Sequence, residues 1–127
     1  MLDVNPDTVC RLIDLAREFH AQEQVVIPEE PGSPSDDWAG NILAAHADDA
    51  TLDEFRAIVA DLEPDQQHQV VGLLWLGRGD FTLEEWDDVL EQAADAWNER
   101  TADYLISHPL LPDYLTEGLD MHGYRCD

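Results

Sequence analysis

The residues of this 127-residue chain best placed to do chemistry gather around one cation. Arg78 sits between Gly77 and Gly79, three residues after Trp75 and two before Asp80. A guanidinium on a short turn is a fork that suits carboxylates and phosphates. Trp75, Arg78 and Asp80 are therefore candidate contacts for a small anionic ligand, a metal or a partner. The competing reading is an internal pair between Arg78 and Asp80 or a helix carboxylate, which the abundance of acids favours. Arg78-Gly79-Asp80 is also the tripeptide that cell-surface receptors recognise, although here it reads more simply as a turn between helices.

Other chemistries fail on residue type. Gly72 through Gly79 has the glycine spacing of a phosphate-binding loop, but the Lys position is Arg78 and the residues between are core-like. Asp80 through Glu91 offers oxygens at several calcium-loop positions, yet Glu85 stands where the loop needs Gly. The five His are scattered, with no Glu-x-x-His pair of the di-iron bundle type. His108 precedes Pro109 and reads as a residue at a helix start rather than a base. Cys10 and Cys126 lack the electropositive surroundings that favour a thiolate. The expectation is no catalytic residue, no metal and no cofactor.

Charge is the feature furthest from the ordinary. There are 29 Asp and Glu against 6 Arg, no Lys, and a net charge of -23. Nucleic-acid phosphates and anionic membrane surfaces repel such a chain. A protein partner, if held electrostatically, is expected to be basic. The sharper form of that idea is an acidic surface that imitates nucleic-acid phosphate. The plainer form is a well-solvated surface from a Lys-poor or salt-adapted proteome. No basic segment followed by an apolar run opens the chain, and no apolar stretch approaches the roughly 20 residues that span a bilayer. These features predict a cytoplasmic protein with two free thiols. A Cys10–Cys126 bridge remains open if the termini meet.

Apolar periodicity supplies the frame. Asn5 and Pro6 form a helix start, and Val9, Leu12, Ile13, Ala16 and Phe19 recur at helical spacing up to His20. A Pro/Gly/Ser-rich loop follows over residues 24–36, then a short helix over Asp37–His46. Thr51 and Glu54 make a capping box ahead of Phe55, Ile58, Val59 and Leu62. Pro64 opens a helix whose segment from Val70 to Leu76 is apolar nearly all round, which belongs in the centre of a bundle. Gly77 or Gly79 ends it. Thr82 and Glu85 cap a long helix carrying Trp86, Val89, Leu90, Ala93, Trp97, Tyr104 and Leu105 on one face. Pro109 starts the last helix, with Gly123 just past its end and Tyr124 folding back on Leu119. No segment alternates with period two. The fold class is all-α, a single-domain array or bundle of five to six helices over residues 1–127.

Three stretches resemble a bacterial family of small helical proteins, domain-of-unknown-function family 3775. They are Ala16-Arg17-Glu18-Phe19 with Pro31 to Asp37, Leu73 to Phe81, and Tyr104 to Leu115 continued by Glu117-Gly118-Leu119. The resemblance implies a small helical domain and brings no reaction, cofactor or partner. It directs attention to Arg78, Asp80, His108 and Asp113, each of which also has a plain role as turn, cap or helix start. The function expected is a non-catalytic cytoplasmic interaction or regulatory domain. Homodimerisation through the apolar stripe of the long helix is compatible with it.

Overall fold

A computed structural model describes residues 2–21 and 50–126. The loop expected over 24–36 and the helix expected over Asp37–His46 lie outside the described residues. Within them the chain is all-α: α1 Pro6–His20, α2 Ala50–Asp61, α3 Pro64–Arg78, α4 Trp86–Ala96, α5 Thr101–Ile106 and α6 Leu111–Met121, with a 3₁₀ turn at Leu83–Glu85.

Local chemistry explains the helix starts. The Asn5 side-chain oxygen accepts from the Asp7 N–H at 2.9 Å, and Pro6 supplies a preset φ at the first position. The Glu63 N–H donates to the Gln66 side-chain oxygen at 3.1 Å ahead of α3. The Thr82 N–H donates to the Glu85 carboxylate at 2.9 Å ahead of the 3₁₀ turn. Gly79 and Gly123 take positive φ, 89° and 84°, at the ends of α3 and α6. Beyond them Asp80 donates back to the Trp75 carbonyl and Tyr124 to the Leu119 carbonyl, each over five residues.

Helix α3 is the centre. It is buried continuously from Gln69 to Leu76, and α4, α5 and α6 all pack on it, α6 most extensively. Helix α1 packs on α6 and α2. Two buried glutamines of α3 bond outward rather than along the helix. The Gln69 side-chain oxygen accepts from the N–H groups of Asp3 and Val4, pinning the N-terminal segment. The Gln67 amide donates to the carbonyls of Val59 and Leu62, holding the end of α2.

Helices α3 and α6 approach backbone to backbone. A Cβ on Gly77 would run into the Tyr114 carbonyl, and one on Gly118 into the Leu73 carbonyl. Gly77 therefore lies inside α3 as a packing residue, and Gly79 alone takes the left-handed turn that ends it.

Three expectations are corrected. The long helix from Thr82 is broken at Trp97, whose ψ of 140° is extended. Asn98 competes with the helix there: its side-chain oxygen accepts from the Arg100 N–H and its carbonyl from the Thr101 hydroxyl, both at 2.8 Å. Thr51 lies within α2 rather than capping it, since the helix includes Ala50. Helix α6 starts at Leu111, because His108 to Leu110 form a turn in which Leu111 donates to the His108 carbonyl.

The cysteines are also corrected: they are a disulfide, not free thiols. Cys10 on α1 and Cys126 at the C-terminus are bonded across 116 residues of sequence, with Cα atoms 5.5 Å apart. Their closeness follows from the packing of α1 on α6, which brings the chain ends together.

Alanine is ordinarily the better helix former by about 1 kcal/mol. Gly118→Ala is expected to reverse that sign and destabilise by roughly 2 kcal/mol or more, because the methyl meets backbone that cannot yield. Urea unfolding of the variant measures it; equal or greater stability would contradict the close approach.

Candidate functional site

The end of α3 and the α5–α6 turn form one polar assembly. Because the turn at Gly79 brings Asp80 back, its carboxylate accepts from Arg78 Nε at 2.8 Å and pairs with Nη2 at 2.6 Å. Arg78 Nη1 meets His108 Nε2 at 3.0 Å. A guanidinium only donates, so Nε2 is the acceptor and carries no proton. His108 Nδ1 then holds the proton and donates to the Tyr104 carbonyl at 2.9 Å. The ring is fully buried and edge-on to Tyr104. The Tyr104 hydroxyl in turn accepts from Trp75 Nε1 at 2.9 Å, and Trp75 lies against Phe81.

Electrostatics follow from this geometry. Burial works against the Arg78 charge, but Asp80 and Tyr104 outweigh it and raise its pKa further. Burial pushes the Tyr104 phenol up, against the donors that Trp75 and Arg78 supply. Both ring nitrogens of His108 are spent on fixed partners, so the ring is held neutral with neither nitrogen turned to solvent. Chemically, the assembly is a bracket joining the end of α3 to α5.

Of the five candidates that the sequence singles out, Trp75, Arg78, Asp80 and His108 are brought together. Asp113 is not part of this assembly. It lies exposed on the first turn of α6 and lines a shallow cleft of about 270 Å³ with Arg17, His20 and Pro112. There His20 Nε2 donates to the Ile106 carbonyl at 2.6 Å, and burial holds the imidazole below its ordinary range. The residue that sequence reasoning missed is Tyr104. Its helical spacing marked it as core, and nothing in the spacing says that its hydroxyl would receive the Trp75 indole.

Two further surfaces stand apart. A cleft of about 330 Å³ opens between α2, the start of α3 and the 97–103 segment, with Trp97 on its wall. The other surface is α4. Residues 79–99 carry eight carboxylates and no Arg, Lys or His. Asp88, Glu91 and Asp95 are exposed and spaced by three and four residues, so they line one side of α4, and the exposed Glu84 of the preceding 3₁₀ turn extends the row at its start to about 16 Å. The opposite side of α4, Trp86, Val89 and Ala93, is buried against the same chain.

Among the described residues, no group of three or more His, Cys, Asp or Glu is placed to hold a metal ion. Nor, among them, is any helix long and apolar enough to cross a membrane. In comparisons with known proteins, residues 52–124 match the sequence model of a family described as "Protein of unknown function (DUF3775)". That range contains the whole Arg78 assembly, Asp113, α4 and the Trp97 cleft. Neither a curated protein nor a solved structure matches the chain.

Tyr104→Phe keeps the ring and removes the acceptor of Trp75 Nε1. Leaving a buried donor unmet is expected to cost about 1–3 kcal/mol. Thermal or urea unfolding checks this, and an unchanged midpoint would show that the hydroxyl is not the hub of the bracket.

Proposed function

Since the chain belongs to the DUF3775 family, whose description carries no activity, we propose from its surfaces a non-catalytic interaction domain. It presents an acidic helix to a basic protein partner. The observation that carries this is the uncompensated carboxylate row of α4. Elsewhere the chain's few cations are answered: Arg11, Arg17, Arg56, Arg78 and Arg125, five of the six, lie in ion pairs with carboxylates. Along α4 the charges face water with no cation on the helix. Such a face raises the encounter rate with a positive partner and repels nucleic acid. The alternative of a small anion or metal at Arg78 and Trp75 has weaker support, because Arg78 is already bonded to Asp80 and His108. Imitation of a phosphate row is a narrower form of the proposal, in which nucleic acid competes for the same partner.

Compartment belongs to the same proposal. We keep a cytoplasmic location, where thiol buffers would open the Cys10–Cys126 bond seen in the fold. Rapid alkylation at lysis is then expected to label both Cys10 and Cys126. Recovery of the bonded form under the same trapping would assign the chain to an oxidising compartment instead.

The binding reading is tested by two variants of equal charge. One neutralises the row (Glu84→Gln, Asp88→Asn, Glu91→Gln, Asp95→Asn). The other neutralises four exposed carboxylates elsewhere (Asp14→Asn, Glu18→Gln, Asp53→Asn, Asp61→Asn). With a fluorescent hepta-lysine peptide at about 50 mM salt, where surface charges act over little more than 10 Å, the row variant is expected to bind at least 5-fold more weakly than the control. Equal weakening of the two would mean that total charge alone is being read, and the reading would fail.

A further inference from the structure

We infer that the cleft beside Trp97 is a receptor for one arginine side chain of the basic partner. The inference rests on the acidic-face reading and names the anchor at the end of that face. Trp97 directly follows α4, so the carboxylate row of Glu84, Asp88, Glu91 and Asp95 ends two residues before the cleft's aromatic wall in the chain. The indole N–H is turned back onto the Gln67 side-chain oxygen at 2.7 Å. Gln67 is itself buried and fixed by the Val59 and Leu62 carbonyls. The ring is therefore held at its polar edge, yet 39% of the residue stays exposed. A large aromatic residue fixed by a buried amide and left open to solvent is a surface prepared for contact rather than for packing.

The remaining walls state what fits. Val59, Ala60 and Ala102 give an apolar floor for a methylene stem. Glu99 and Asp103 bring carboxylates. The one cation among the described lining residues, Arg56, is engaged by Asp103 through a 2.6 Å contact from Nε. Among those residues one uncompensated negative charge, Glu99, is left beside an indole. That combination suits a cation with a stem. It suits guanidinium over ammonium, because a planar guanidinium stacks on an aromatic face and forks onto a carboxylate. An anionic occupant meets Glu99 at the cleft and the field of a chain with net charge -23.

The test uses two peptides, hepta-lysine and its variant with arginine at the central position. The row is read by absolute affinity and the cleft by the ratio of the two. Wild type is expected to bind the arginine peptide at least 3-fold more tightly and to shift the Trp97 indole N–H resonance on titration. Both Trp97→Ala and Glu99→Gln are expected to bring the ratio to one. Glu99 is exposed, so its variant does not depend on Trp97→Ala remaining folded. The quadruple α4 variant is expected to weaken both peptides together and leave the ratio intact. Equal binding of the two peptides by wild type, or a ratio that survives in Glu99→Gln, overturns the cleft and leaves the acidic-face reading standing. Failure of wild type to bind either peptide at low salt overturns both.

Discussion

The α3–α6 contact, where Gly77 faces the Tyr114 carbonyl and Gly118 faces the Leu73 carbonyl, constrains everything around it. Two helices meeting at backbone distance leave no layer of side chains between them. The apolar residues of α3 are then free to face α4 and α5, which is why one 15-residue helix can serve as a core for the others. The contact also sets where α3 must end. Its last turn is held against α6, so the chain reverses at Gly79 and brings Asp80 under Arg78. The short turn before α6 carries His108 to the other side of the same guanidinium.

Scarcity of cations gives that guanidinium its role. With 29 acids and 6 arginines, an arginine held by two neighbouring elements is the means available for joining them electrostatically. Arg78 joins the end of α3 to the α5–α6 turn, Arg11 joins α1 to α2, and Arg56 joins α2 to α5. The three pairs differ in burial. Arg78 has 18% of its side chain exposed, while Arg11 is half exposed and its pair adds little. Among the described residues, helix α4 has no such tie. It is held by the burial of Trp86, Val89 and Ala93, and its outer face is left to water.

Much of the frame was legible. Asn5-Pro6, the stripe from Val9 to Phe19, and the all-apolar run of α3 each point to one answer by a local rule. The Arg78–Asp80 pair was legible too, because two residues that close across a turn need no tertiary contact. What misled were rules applied without their competitors. The capping pattern at Thr51 matched, but α2 reaches back to Ala50. The apolar spacing from Trp86 to Leu105 continued through Trp97, while Asn98 and Gln67 offered the backbone and the indole better partners than the helix did. Gly77 and Gly79 looked equivalent, since glycine serves both a positive φ and a close approach.

The sequence by itself determined the all-helical class, the central place of α3, the acidity and the family likeness. These follow from periodicity, composition and residue type, which act within a turn or two of the chain. Tertiary structure decided the pairings across long separations. His108 meets Arg78 over 30 residues, Trp97 meets Gln67 over 30, and Cys10 meets Cys126 over 116. No local energy specifies those partners. They are fixed by which helices can approach closely enough to bury their faces together, and that is set by the glycines at the crossing of α3 and α6.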